Sequence, residues 1–140
     1  MVGLTQGPLN SAAIEAAVAW TGAGALLTFL GNTRDNFEGR AVLSLEYECY
    51  PEMAIAELEK IEAEIVSRWP RARVAMVHRL GEVGLGETSV VISVACPHRA
   101  AVYEASRYAI EQLKARVPIW KRERYRDGAA WKANAAVEAR

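Results

Sequence analysis

Apolar and polar side chains alternate over residues 43–49, where Leu43, Leu45, Tyr47 and Cys49 are separated by Ser44, Glu46 and Glu48. A period of two predicts a half-buried strand, because successive side chains leave a strand on opposite faces. Val74, Met76, His78 and Leu80 repeat the pattern, and Val90, Ile92 and Val94 continue it beyond the glycine-rich stretch 81–86, which predicts a hairpin turning there. Over residues 51–69 the period lengthens: Leu58, Ile61 and Ile65 define one helical face, glutamates fill the other, and Pro51 suits the first turn. Val102, Ala105, Ala109 and Leu113 do the same and predict a second main helix from about His98 to Ala115. Pro118 has no amide proton and disfavours helix at Val117, so Ile119–Tyr125 reads as a new strand. Nearer the start, Asn10-Ser11 can cap a short helix through about Trp20, with Ile14, Ala17 and Val18 inward. Gly24–Leu30 then reads as a buried strand. The order α-β-β-α-β-β-α-β predicts an α+β fold, a mainly antiparallel sheet with two main helices.

Composition adds bounds to this picture. A chain of 140 residues with 51% hydrophobic content suits one domain, residues 1–140, with a real core. There is no internal repeat and no linker long enough to divide it. The formal net charge is zero, so no global field drives the chain to nucleic acid or a membrane. Locally the charge is uneven: seven acids between Glu46 and Glu64 face only Lys60, and seven bases between Arg107 and Arg126 face only Glu111 and Glu123. The simplest expectation for such runs is two solvated faces. Trp120, Tyr125 and Trp131 interleave with the basic run, as in single-strand nucleic-acid binders, but the acidic run and zero net charge oppose that reading. No basic residue precedes Arg34, so no export signal is read, and the 15 uncharged residues from Ala16 to Leu30 fall short of a bilayer span. Cys49 and Cys96 form no C-x-x-C pair, and His78 and His98 are far apart in sequence, so no metal site is expected. The chain reads as cytoplasmic and metal-free.

The candidate chemistry is cationic. Lys114 and Lys121 flank Pro118 on two different elements, so their ammonium groups can converge where a single helix face would separate them. Desolvated or paired, such lysines stabilise an oxyanion, protonate a leaving group or form an imine. His98 and Arg99 fall in the first turn of the second main helix, where unpaired N–H groups and the helix dipole favour an anion. Asn32, Thr33 and Arg34 belong to a turn-rich loop over 31–40 that can close over a charged ligand. Together these positions predict a site for a phosphate-bearing ligand. Cys96 beside His98 invites a Cys–His dyad, but adjacent positions rarely supply both members, and a buried structural thiol fits better. His78, on an apolar strand face, reads as a hydrogen-bonded core or interface histidine. The 81–86 glycines join two strands and so do not form a phosphate loop. The same anion site would equally serve a regulatory ligand-binding domain.

An ordered set of short motifs goes further: Gly-Asn-Thr-Arg at 31–34, Leu-Glu-Tyr-Glu at 45–48 with Tyr50-Pro51-Glu52-Met53, His78-Arg79-Leu80-Gly81, and Pro97-His98-Arg99. The block from Lys114 to Glu123 and Trp131-Lys132-Ala133-Asn134 complete it. In this the chain resembles the large, catalytic subunit of molybdopterin synthase. The resemblance implies a hammerhead-like α/β fold with a smaller second sheet. It implies sulfur transfer that converts cyclic pyranopterin monophosphate to molybdopterin, the sulfur arriving as a thiocarboxylate on the C-terminal Gly-Gly of a small ubiquitin-like carrier. It further implies Lys114 and Lys121 as catalytic residues and Asn32, Thr33, Arg34, His98 and Arg99 as contacts to the pterin and its phosphate. Arg122 and Glu123 would flank the tail or substrate. No cofactor is implied, and the assembly would be a homodimer within a heterotetramer. The tail after Asn134 matches nothing in this pattern.

Overall fold

The computed structural model describes residues 1–126 and 128–133. Asn134 and the 135–140 tail lie outside the described residues. The chain runs β1 (Val2–Gln6), α1 (Ser11–Ala16), β2 (Ala25–Asn32), β3 (Asn36–Phe37), β4 (Arg40–Cys49), α2 (Pro51–Arg68), β5 (Arg73–Gly84), β6 (Thr88–Cys96), α3 (Arg99–Arg116), β7 (Ile119–Tyr125) and β8 (Gly128–Ala133). The strands form one connected sheet in the order β2-β6-β5-β4-β7-β8, with β1 parallel to β5 and β3 antiparallel to β4. The expected second sheet is the β4-β7-β8 half, joined to the rest because β5 continues past the predicted turn. Residues 81–84 are strand, paired with residues 44–47 of β4. The reversal comes later, at Gly86, whose φ of +76° is open to glycine.

Sheet alternation sorts the core into two layers. Val74, Met76, Ile92 and Val94 face α2 and α3, where Leu58, Ile61 and Ile65 meet Val102, Ala105, Ala109 and Leu113. Ala75, Val91 and Ala95 face the opposite way and are covered by Ile14 and Val18. Asn10 caps α1 by accepting the Ala13 N–H at 3.1 Å, but the helix stops at Ala16 and leaves Ala17 exposed. β4 also departs from simple alternation. Leu43 is exposed and Val42 is buried, because the β4–β7 register shifts between Val42 and Ser44. An extra residue in one strand of a pair moves the following side chains to the other face.

The acidic and basic runs meet each other as well as water. Arg116, in the last turn of α3, pairs with Glu64 at 2.6 Å and Glu57 at 3.2 Å, both on α2. Arg124 of β7 approaches Glu46 of β4 at 3.9 Å. Arg116, then the Tyr108 hydroxyl, holds the Glu64 carboxyl down at about 2. These contacts fix the C-terminal end of α3 against α2, and hence the helix turn that carries Lys114. Among the described residues, no helix is long and apolar enough to cross a membrane.

Candidate active site

Where α3 ends above the β4–β7 ladder, a cavity of about 220 Å³ opens. Its floor is one face of that ladder. Tyr47 is the direct cross-strand partner of Lys121, and Leu45 that of Glu123, so all four side chains share a face. Ile110 and Lys114, one turn apart on α3, form a wall. Phe29, Gly31 and Asn32 from the end of β2, Ser89 and Val90 from β6, and Arg34, Asn36 and Phe37 from the following segment close the rest.

Local sequence explains the wall built from β2. A Cβ on Gly31 would lie 2.6 Å from Val90 Cγ1, so glycine alone lets the two strands approach here. The register shifts at the next residue. Asn32 Oδ1 then accepts the Thr88 hydroxyl at 2.7 Å, and Gly31 O accepts the Ser89 hydroxyl at 3.2 Å. Glu38 and Gly39 both have positive φ and turn β3 back into β4, the conformation of a two-residue hairpin loop.

The two lysines differ in surroundings. Lys121 Nζ lies 3.6 Å from Glu123 Oε1. The Glu123 carboxylate is only 2% exposed and also accepts the Tyr125 hydroxyl. Lys114 has no carboxylate partner among the described residues. Burial first, and the positive charge of Lys121 second, push its ammonium below the usual lysine range. Its side chain is accessible to water yet walled by protein, as a group lining a concavity is. Beneath the floor, His78 donates from Nδ1 to Arg79 O at 2.8 Å and meets the Tyr47 ring edge-on at 4.9 Å. Burial drops His78 to about 4, with Lys114 and Lys121 adding to the fall against the opposing Arg79 hydrogen bond. Of the two expected roles, core or interface, the buried, hydrogen-bonded ring takes the first.

The sequence-derived residues divide accordingly. Asn32, Arg34, Lys114, Lys121 and Glu123 line the cavity together. Thr33 does not: it is 4% exposed, and its backbone joins the β5–β6 turn, donating to Glu87 O at 3.0 Å and accepting from Gly86 N at 2.9 Å. Arg122 falls on the opposite face of β7 from Lys121 and Glu123, beside Glu46. His98 and Arg99 sit at the far end of α3, about 22 Å from Lys114 at 1.5 Å per helical residue. His98 borders a different hollow, with Trp69 and Pro70. Tyr47, Ser89, Phe29 and Phe37 were not singled out for the site from the sequence. Alternation placed Tyr47 beside Leu45, but cross-strand register alone shows that it faces Lys121. Among the described residues no group of three or more His, Cys, Asp or Glu side chains could hold a metal ion.

An α+β sheet presenting two lysines from separate elements to one polar cavity is a site suited to an anionic ligand. Residues 4–116 match the model of the MoaE protein family, and the chain belongs to that family. It is 52% identical over 109 residues to the molybdopterin synthase catalytic subunit of Halalkalibacterium halodurans, an alignment spanning 78% of this chain and 70% of that protein. It is 51% identical over 111 residues to the human molybdopterin synthase catalytic subunit, spanning 79% of this chain and 59% of the human one. The crystal structure of molybdopterin synthase from Staphylococcus aureus superimposes with a TM-score of 0.89 at 36% identity, covering 92% of this chain and 94% of that one. The family is that of sulfurtransferase subunits of molybdenum cofactor biosynthesis, and this chain is one of them.

Proposed function

We propose that this chain transfers sulfur to cyclic pyranopterin monophosphate to build the dithiolene of molybdopterin. The sulfur is carried as a thiocarboxylate on the C-terminal Gly-Gly of a small ubiquitin-like partner whose tail enters the cavity. The observation that carries this reading is the convergence of Lys114 and Lys121 with Arg34 and Asn32 on one cavity. Relatives named as catalytic subunits imply a companion subunit.

The lysine surroundings assign different work to each. Lys121, held beside the Glu123 carboxylate, stabilises negative charge on the thiocarboxylate or the opening cyclic phosphate. Lys114, with its ammonium pushed below the usual lysine range by burial and by the Lys121 charge, gives and takes the proton. Arg34 supplies a fork for the phosphate. Neither cysteine lines the cavity, and burial pushes both thiols up, away from the reactive thiolate form, which supports a sulfur brought in by the partner.

A cavity of about 220 Å³ is smaller than the roughly 300–1,000 Å³ usual for ligand pockets, which fits a site completed by other chains. In this reading the assembly is a homodimer with one carrier at each end, a cytoplasmic heterotetramer. His98 and Arg99 then contribute to the site of the other copy. The test is reconstitution: purified chain, thiocarboxylated carrier and cyclic pyranopterin monophosphate should yield a dithiolene in stoichiometric amount. A regulatory ligand-binding domain would bind the phosphate compound and produce none.

A further inference from the structure

We infer that Tyr47 is a further catalytic residue, donating its phenolic hydrogen bond to the oxyanion that forms at the carrier's acyl carbon. The inference rests on the sulfur-transfer reading. Chemistry requires such an oxyanion. Once the carrier sulfur has bonded to a substrate carbon, it is a thioester sulfur, and the C–S bond to the carrier must break to leave it behind. Water adds to the acyl carbon, the carbonyl electron pair moves onto oxygen, and the tetrahedral adduct collapses. The carrier leaves as a carboxylate and the substrate keeps a thiolate. Of the two protons released, one is taken by Lys114 as its neutral amine and one goes to solvent. A neutral donor facing the acyl carbon lowers the barrier without competing for that proton.

Tyr47 has the geometry for this. It lines the cavity directly across the ladder from Lys121, and its hydroxyl reaches Ser89, which lines it too. Among the described residues its hydroxyl donates to Ser89 Oγ at 3.4 Å, well beyond the roughly 2.7–2.8 Å of a good hydroxyl pair. The hydroxyl is therefore held in place yet has a stronger bond to gain. The ring is fixed from below by His78, edge-on at 4.9 Å, and the residue is only 6% exposed, so little reorganisation accompanies the reaction. Burial also raises the phenol above its ordinary value, keeping it a donor.

Tyr47→Phe removes the hydroxyl and leaves the ring. Single-turnover product formation with preloaded carrier should fall about 100- to 1,000-fold, the range for loss of one oxyanion donor. Carrier affinity and melting temperature should remain within twofold and about 2 °C of wild type. A covalent carrier–substrate thioester should accumulate and be seen by intact mass spectrometry. An active wild type with an equally active Tyr47→Phe overturns the role of Tyr47 alone, as does a loss that merely tracks weaker carrier binding. A wild type that makes no product overturns the sulfur-transfer reading, and the inference with it.

Discussion

The Lys121 ammonium lies 3.6 Å from Glu123, a carboxylate almost wholly removed from solvent, whereas Lys114 faces the same cavity without a carboxylate among the described residues. Two chemically identical side chains thus become unlike groups. Lys114→Ala and Lys121→Ala should each abolish most turnover; stability should change by no more than about 0.5 kcal/mol in Lys114→Ala, an accessible position, and by more in Lys121→Ala, which takes the ammonium away from the buried Glu123 carboxylate. At pH 8, amine-reactive labelling should modify Lys114 faster than Lys60, because burial and Lys121 leave more of it uncharged. Equal labelling rates for Lys114 and Lys60 would mean that the cavity leaves the Lys114 ammonium undisturbed.

Glu123→Gln keeps the shape of the side chain but loses the charge that holds Lys121 and accepts the Tyr125 hydroxyl. A charge-assisted bond in the interior contributes about 1.5–3 kcal/mol. The urea midpoint should drop accordingly, and turnover should fall at least tenfold with carrier affinity preserved. A variant as stable and active as wild type would make the pair incidental.

Separation along α3 gives a test of shared sites. Arg99→Ala and Lys114→Ala chains should each be nearly inactive alone. If Arg99 serves the other copy, a mixed dimer contains one intact site and one doubly defective site. Refolding the two variants together should restore a sizeable fraction of activity, up to half per mixed dimer. No recovery in dimers verified as mixed would confine Arg99 to its own chain or to no site.

His78 ties stability to acid. Its folded value, about 4, lies below the usual 6.5 of an unfolded histidine, so the unfolded chain binds the proton first. The stability conferred by neutral His78 is complete above pH 6.5 and is lost as pH falls toward 4, by at most about 3 kcal/mol. Denaturant midpoints across that window should decline in the wild type. In His78→Asn the decline should be correspondingly shallower, whatever its starting stability.

The cysteines should be dispensable. Cys49→Ser and Cys96→Ser, singly and together, should keep substantial single-turnover activity under conditions where circular dichroism shows them folded. Any deficit should follow stability, since a buried hydroxyl left unpaired costs about 1–3 kcal/mol. A folded Cys96→Ser enzyme that consumes carrier without forming product would instead reveal a persulfide relay.

Much of the local structure was legible in the chain itself. Leu58, Ile61 and Ile65 fixed the buried face of α2, Val102, Ala105, Ala109 and Leu113 that of α3, and Pro118 the break that makes β7 a separate strand. Those features depend on side-chain period and on one missing amide, both local properties. The sequence also placed Lys114 and Lys121 on different elements. It did not reveal β1, whose partner β5 is remote in sequence, or β8, which folds back on β7, or that β5 runs through its glycines to reach β4. Cross-strand register, a long-range relationship, put Tyr47 opposite Lys121 and turned Arg122 to the other face. Helix length, at 1.5 Å per residue, separated Arg99 from Lys114 although both belong to one cationic pattern. Period and punctuation determine which element a residue occupies; which residues share a cavity is decided by distances between elements, which only the packed sheet and its helices set.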